Sequence, residues 1–209
     1  MTTLTASPPA QRRATLGITL VLLAQLMLVL DVTVVNVALP RIKTDLDFSP
    51  AGLSWVLNAY TLAFGGLLLL GGRLGDVFGR LRVFEVGLSL FVVASFTGGL
   101  APTPELLVSA RVLQGVGAAI AAPSVLALLT TSTTDDASRN RALALFTAVS
   151  SAGGSIGLIL GGLLTDIGSW RWTLMINVPI GIAVLSLVRR FVDETPRRAG
   201  RFDVVGAFT

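Results

Sequence analysis

The sequence contains no cysteine and no histidine. Without these side chains it cannot form disulfides, thiolate metal sites, or the Ser-His and Cys-His pairs of nucleophilic catalysis. Residues 153–157 match the G-x-S-x-G pattern of serine nucleophiles, but no histidine can act as the base, so we interpret them as helix-packing residues. We therefore expect no catalytic residues, no metal site and no cofactor, and we predict that the chain is not an enzyme.

Charge is also scarce. Only 13% of the 209 residues are charged, 53% are hydrophobic, and the mean hydropathy is +0.79. This composition is typical of proteins that cross a membrane several times. The net charge of +4 comes from short loops between apolar runs, and no basic helix or aromatic platform stands outside those runs. We therefore expect a lipid bilayer as the partner, and no nucleic acid.

Six apolar segments are long enough to span a bilayer, which takes roughly 20 residues. They cover residues 16–39, 53–72, 83–101, 105–130, 142–165 and 172–189. Because backbone groups in lipid must be satisfied within the segment, we predict an all-α integral membrane protein with a six-helix transmembrane bundle. Pro40 and Pro102 are expected to close spans, and Pro123 and Pro179 are expected to kink them.

These segments divide the chain into three predicted regions. A disordered tail covers 1–15, the bundle covers 16–190, and a linker with the truncated start of a seventh span covers 191–209. Twelve Arg residues lie in the tail, in two loops and in the segment after the sixth span, whereas the opposite loops hold three Arg or Lys. Positive loops stay on the cytoplasmic side, so we expect a multi-pass plasma-membrane protein with a cytoplasmic N-terminus.

Two charged residues lie inside the spans. Asp31 is about 12 Å from the outer end of the first span and Arg111 about 9 Å from that of the fourth, at 1.5 Å per residue. Ionised side chains are costly in lipid and mark ion or substrate pathways. We hypothesise that the two are neighbours and that Asp31 takes up or releases a proton. A purely structural ion pair is the alternative.

Other polar residues lie near the outer parts of the helices. Asn36, Asn58, Tyr60 and Gln114 are candidates for lining a substrate cavity, with interface anchoring as the alternative. Gln114 shares a helix face with Arg111 and could extend its polar network. A stripe of small residues on the fifth span, which predicts close helix packing, consists of Gly153, Gly157 and Gly161.

The link between the second and third spans is short and charged. We predict that the second helix ends near Gly72 and the third begins near Arg82, with Asp76 and Arg80 between them. In such a link the Asp76 carboxylate could accept hydrogen bonds from the exposed amides of a helix N-terminus.

Together these patterns resemble the major facilitator superfamily, and more narrowly its fourteen-span branch of drug:proton antiporters, which export multiple drugs and quaternary ammonium compounds. The matching segments are Leu30–Pro40, Trp55–Ala63, Gly72–Arg82, Arg111–Ala119, Trp170–Trp172 and Asn177–Pro179. Two positions depart from the family pattern. Val77 stands where the loop motif has a basic residue, and Leu158 stands where the antiporter motif has proline.

The resemblance implies that two six-helix bundles rock about a midplane cavity. This chain would supply the N-terminal bundle, and the second bundle, an expected partner, is absent. Asp31 and Arg111 would serve proton coupling, and a cytoplasmic gate would be formed by Gly72, Asp76, Gly79 and Arg80. The implied function is proton-coupled export of amphiphilic drugs or small metabolites. A truncated remnant or helper subunit without transport, and a proton-coupled uptake transporter, are the alternatives.

Overall fold

The computed structural model describes residues 8–131, 133 and 135–195, with the backbone alone for 8–11. The described residues form seven helices: α1 (Pro8–Asp45), α2 (Pro50–Phe78), α3 (Arg80–Gly99), α4 (Pro104–Thr131), α5 (Asp136–Ile167), α6 (Arg171–Met175) and α7 (Asn177–Phe191). α6 and α7 make up one segment, so the described chain has six segments long and apolar enough to cross a bilayer. The predicted all-α, six-span architecture is confirmed.

The end of α1 differs from the prediction. The helix runs through Pro40 to Asp45 instead of closing at the proline. Proline in a helix removes a hydrogen bond and introduces a steric clash. Beyond it, however, Ile42 and Leu46 are buried in the core. Their burial favours a helix that runs on past the proline. Pro102 does lie outside a helix, between α3 and α4.

The predicted boundary regions are also revised. The tail expected to be disordered over 1–15 is helical from Pro8 onward, while residues 1–7 lie outside the described residues. α5 begins at Asp136, well before the predicted 142, because Asp135 caps it by accepting a bond of 2.8 Å from the Ser138 amide. Most of the predicted linker and seventh-span start, 196–209, lies outside the described residues.

The helices pack around two apolar clusters. α1 packs against α5 and α7, α4 packs against α2 and α3, and α3 also contacts α7. We call the end of the bundle that contains the α2–α3 junction the Gly79 end, and the opposite end the Trp170 end. The cluster at the Gly79 end includes Met27, Phe84, Phe91, Leu128 and Val188. The cluster at the Trp170 end includes Ile42, Phe48, Leu107, Trp170 and Leu174. The polar residues of the candidate site lie between these two clusters along α1 and α4.

Small residues bring the helices close together. On α5, a stripe faces α1 and consists of Gly153, Gly157 and Gly161. A Cβ on Gly153 would lie 2.9 Å from a methyl of Val29, and one on Gly157 would overlap Thr33. The same principle joins α2 to α4, where a Cβ on Gly115 would lie 2.5 Å from the Tyr60 carbonyl oxygen. Such backbone approach is how helices associate in lipid, where burial of apolar surface contributes little.

Arg171 fastens the C-terminus of α3 at the Trp170 end. Its Nη1 donates to the carbonyl oxygens of Ala101 (2.6 Å) and Gly99 (3.3 Å). The guanidinium lies over the Trp170 ring at 4.5 Å from its centroid, and the Trp170 indole donates to Asp45 at 2.7 Å. A cation at the end of a helix complements both its free carbonyls and its dipole. The sixth span is thereby tied to α1 and α3.

Gly71→Ala should destabilise the bundle by about 1–3 kcal/mol, because the new methyl would overlap the backbone carbonyl of Ala119, which cannot rotate away. The matched control is Gly66→Ala on the same helix, where a Cβ meets nothing within 4 Å. That change should be neutral, or stabilise by up to about 1 kcal/mol through helix propensity. Thermal unfolding of the purified chain, followed by circular dichroism, measures both. Equal effects would contradict the packing described.

Candidate functional site

Asp31 and Arg111 form an ion pair inside the bundle. Arg111 Nη1 donates to Asp31 Oδ2 at 2.5 Å, which joins α1 to α4. Both side chains are fully buried. The structure thus brings together the two charges that the sequence placed at similar depth. A buried pair is favourable only when the remaining polar atoms are also satisfied, so the surrounding donors and acceptors decide the properties of this site.

Three donors converge on the Asp31 carboxylate. Besides Arg111, the Gln114 amide donates to Oδ1 at 3.0 Å and the Asn177 amide donates to Oδ1 at 2.8 Å. Ser95 on α3 accepts from the same two amides, at 2.7 Å from Gln114 and 3.3 Å from Asn177. Four helices, α1, α3, α4 and α7, therefore meet through one hydrogen-bonded cluster, which we call the Asp31 network.

Arg111 is held on several sides. Its Nε donates to the Val56 carbonyl oxygen at 3.0 Å, and its Nη1 also donates to Gln114 Oε1 at 2.8 Å. The guanidinium carbon lies 4.4 Å from the centroid of the Tyr60 ring, a cation–π arrangement. Among the described residues, Nη2 has no hydrogen-bond partner. The guanidinium is thus fixed in direction, and the two N–H groups of Nη2 remain unused among the described residues.

Protonation of Asp31 would change the hydrogen bonds and the charge balance of the Asp31 network. As a carboxylate it only accepts hydrogen bonds, and all three neighbours donate to it. A proton on Asp31 would turn one acceptor into a donor and would cancel the charge that offsets Arg111.

The junction of α2 and α3 is shorter than predicted. α2 continues past Gly72 to Phe78, and α3 begins at Arg80, so Gly79 alone separates the two helices. Gly79 has φ +102°, a conformation in which a side chain would be strained. The predicted ends near Gly72 and Arg82 are wrong, because charged residues at the end of a span lengthen the helix without breaking it.

Arg80 fastens this junction from the α3 side. Its Nη2 donates to Asp76 Oδ1 at 2.5 Å and its Nη1 donates to the Gly72 carbonyl oxygen at 3.2 Å. The side chain passes over Gly75, where a Cβ would lie 2.8 Å from Arg80 Cδ. Gly72, Asp76, Gly79 and Arg80 are therefore brought into one cluster, and Gly75 leaves the space for it.

The N-terminus of α3 is capped by two residues that follow α7. Glu194 accepts from the amides of Leu81 (2.9 Å) and Arg82 (3.1 Å), and Thr195 Oγ1 accepts from the Arg80 amide at 3.2 Å. The expectation that Asp76 accepts from exposed helix amides is therefore wrong. Asp76 lies within α2 and binds the Arg80 guanidinium instead, since the free amides of α3 are occupied by Glu194 and Thr195.

A groove opens beside this cluster between α2 and α4. Its volume is about 910 Å³, and its walls carry both apolar and charged residues. Asp76 and Arg80 line one part of it, and Leu69, Pro123 and Phe146 line another. Leu69 is 84% exposed, so this face of α2 is not covered by the described residues.

The four candidate cavity residues fall into two groups. Asn36 and Asn58 are exposed, whereas Tyr60 and Gln114 are buried against Arg111. In this structure Tyr60 and Gln114 belong to the interior around the Asp31 network. A cavity role for all four residues remains a prediction.

Sequence reasoning missed three residues that complete these clusters: Ser95, Asn177 and Glu194. The sequence presents Asn177 as part of a family motif, although a lone amide inside an apolar span is also a candidate partner for Asp31. Ser95 carries no such signal, because small hydroxyl residues are common in spans and bond to their own helix, as Ser95 does to Phe91 O at 2.7 Å. Glu194 lies outside the spans, where a carboxylate is ordinary.

The six apolar spans and the charged pair buried between them are typical of a multi-pass membrane protein. Residues 21–207 match the Major Facilitator Superfamily. The chain therefore belongs to that superfamily, whose members are transporters and not enzymes, and the resemblance identified from the sequence is confirmed.

Several curated relatives are drug or antibiotic efflux and resistance proteins. The puromycin resistance protein pur8 of Streptomyces alboniger is 49% identical over 91% of this chain and 38% of the relative. The cephamycin export protein CmcT of Amycolatopsis lactamdurans is 48% identical over 93% of this chain and 40% of the relative. The multidrug resistance protein Stp of Mycobacterium tuberculosis is 39% identical over 86% and 34%, respectively. The chain thus spans well under half the length of these relatives.

Solved structures agree on the fold. A bacterial homologue of the human lysosomal transporter Spinster, in an inward-facing and unoccupied conformation, gives a TM-score of 0.70 at 22% identity and covers 95% of this chain and 47% of its own. A peptide transporter of the POT type, in complex with alafosfalin, gives 0.74 at 13% identity and covers 84% and 38%. At these identities the likeness shows the fold alone.

Arg111→Met should destabilise the purified chain by about 3–5 kcal/mol, because it leaves Asp31 as a buried charge without its cation. The double variant Asp31→Asn, Arg111→Met should recover much of this loss, since no charge then remains unpaired. Arg139→Met breaks an exposed pair with Asp136 and serves as the control, with an effect within about 0.5 kcal/mol. Thermal unfolding in detergent reports all three, and a double variant less stable than Arg111→Met would contradict the pairing.

Proposed function

We propose that this chain is the N-terminal six-helix half of a proton-coupled exporter of amphiphilic drugs or small metabolites. The observation that carries the proposal is the buried Asp31–Arg111 pair, whose carboxylate receives three donors in the interior of the bundle. The names of the relatives support the substrate class, since they describe resistance to or export of antibiotics and drugs.

Asp31 is the proton-carrying group in this proposal, and Arg111 sets its affinity. When the pair is closed, Arg111 offsets the charge of the carboxylate; when the two side chains separate, a proton can neutralise the carboxylate in its place. Exchange of a cationic substrate for a proton then never leaves the ionised carboxylate without a positive charge beside it, which would be expensive in lipid.

The cluster of Gly72, Asp76, Gly79 and Arg80 is the proposed cytoplasmic gate. Its groove beside α2 and α4 is where a second six-helix bundle would lie, covering the exposed apolar face that includes Leu69. Opening and closing of this contact would alternate access to a cavity between the bundles. Asn36, Asn58, Tyr60 and Gln114 are proposed to line that cavity.

The proposed location is the plasma membrane, with the N-terminus in the cytoplasm. The arginines near the start of α1 and the end of α7 lie at the Gly79 end, as Arg13 shows by pairing with Asp193. The positive-inside tendency of membrane proteins then assigns the Gly79 end to the cytoplasm.

Asp31→Asn should abolish the dependence of export on the proton gradient, because an amide cannot take up and release a proton. The assay follows efflux of a fluorescent lipophilic cation from cells that express the complete gene product, with and without a proton uncoupler. Asp166→Asn is the matched control at an exposed position and should retain full dependence. Efflux by the Asp31→Asn variant that still collapses with uncoupler would reject Asp31 as the coupling group, and gradient-driven accumulation by the unaltered protein would indicate uptake.

The purified 209-residue chain alone should not drive transport, because one bundle cannot enclose a cavity that both bundles form. Proteoliposomes with an imposed proton gradient should show no accumulation of the same cation beyond that of empty liposomes. Adding the complete gene product to a parallel preparation supplies the positive control. Gradient-driven uptake by the chain alone would contradict the two-bundle proposal.

A further inference from the structure

Asn177 occupies an unusual place in the Asp31 network. It is the first residue of α7, directly after Ile176, which separates α7 from α6. The nearby Pro179 has no amide to donate, which weakens the hydrogen-bond ladder across this junction. The Asn177 side chain is 1% exposed and donates to Asp31 Oδ1 at 2.8 Å. An amide from the sixth span therefore contacts the buried carboxylate at the point where that span is least regular.

Ser95 fixes the direction of the neighbouring amides. Its hydroxyl donates to the Phe91 carbonyl oxygen at 2.7 Å, so its oxygen is left to accept. It accepts from Gln114 Nε2 at 2.7 Å and from Asn177 Nδ2 at 3.3 Å. With Asp31 ionised, both amides therefore present N–H groups to the carboxylate and to Ser95 at once.

The two amides differ in their freedom to turn. Gln114 Oε1 accepts from Arg111 Nη1 at 2.8 Å, and a rotated Gln114 would present its own N–H groups to the guanidinium. Asn177 has no bond to Arg111, and its contacts in the network are with Asp31 and Ser95. When Asp31 gains a proton, Asn177 is thus the amide that can turn and offer its oxygen.

We propose that Asn177, oriented by Ser95, is the positioning residue through which the junction of α6 and α7 responds to protonation of Asp31. The inference rests on the proposed function, in which Asp31 carries the proton. The proton arrives from water and binds Asp31 Oδ1, whose new O–H donates to Asn177 Oδ1. The amide gives up its bond to Ser95, and no covalent bond other than O–H forms or breaks.

Few charged or ionisable groups surround Asp31. Among the described residues packed around it, α4 contributes Arg111 and α2 contributes the ionisable Tyr60 beneath that guanidinium. α3 and α7 contribute the uncharged Ser95 and Asn177, and α5 faces the neighbouring turn of α1 with Gly157. Arg111 and Tyr60 stay in place in the variants below, so changes in the response report on Asn177.

The test uses the purified chain in lipid nanodiscs. Infrared difference spectra follow the Asp31 carboxyl during a pH titration, with Asp31→Asn identifying its band. In parallel, Ile182→Cys carries a fluorophore on α7, where position 182 is 55% exposed. The label has a unique site because the chain contains no native cysteine. In the unaltered background we expect the fluorescence to change with the same midpoint as the carboxyl band.

Asn177→Leu should uncouple the two signals. The carboxyl should still titrate, because Arg111 and Gln114 remain bonded to it. The label should no longer respond to this titration. Asn140→Leu makes the same change at an exposed position on α5 and should alter neither signal.

Ser95→Ala is the milder second variant, in case Asn177→Leu fails to fold. It should weaken the response of the label while the carboxyl still titrates, whereas Ser186→Ala, which removes an exposed hydroxyl on α7, should change nothing. A label response that persists in Asn177→Leu, or that Ser95→Ala leaves unchanged while the carboxyl titrates, overturns the proposed role of Asn177 and leaves the proposed function standing. A carboxyl that never titrates in the unaltered chain overturns the proposed function.

Discussion

An acid and a guanidinium cannot remain unpaired in the interior of a membrane bundle, and this constraint organises the structure. Asp31 and Arg111 lie on different helices and are both fully buried. Their pairing holds α1 beside α4, and the leftover oxygen of the carboxylate brings in Gln114 and Asn177. The Asp31 network lies between the apolar clusters at the Gly79 end and the Trp170 end, so a change of charge on Asp31 acts in the middle of the bundle.

The sixth span and the segment that follows it stabilise α3 at both termini with groups of opposite charge. Arg171 binds the carbonyl oxygens at the C-terminus, and Glu194 binds the amides at the N-terminus. Each charge complements the dipole end that it contacts. Between them, Ser95 and Asn177 connect the same two segments near the middle. α3 and the sixth span are thus joined along their whole length, with the Asp31 network at the centre.

Much of this could be predicted from the sequence, because lipid imposes simple rules. Segment length and hydropathy identify the six spans, and two charges at matching depth predict the contact of Asp31 with Arg111. The course of the chain near Pro40 and Gly72 could not be read in this way, since burial beyond the proline and contacts of charged side chains decide whether the helix continues. Glu194 caps α3 from 112 residues away, and no local pattern reports such a partner.

The single-residue junction at Gly79 has a mechanical consequence. Arg80 belongs to α3 but binds Asp76 and the Gly72 carbonyl oxygen of α2, so its guanidinium bridges the single residue between the two helices. With its 29 residues, α2 is about 44 Å long at 1.5 Å per residue. A tilt of about 10° about Gly79 would carry the far tip of α2 through about 8 Å. If the Arg80 ion pair broke, a small rotation at Gly79 would thus displace the far end of α2, at the opposite membrane face, by more than the width of a water molecule.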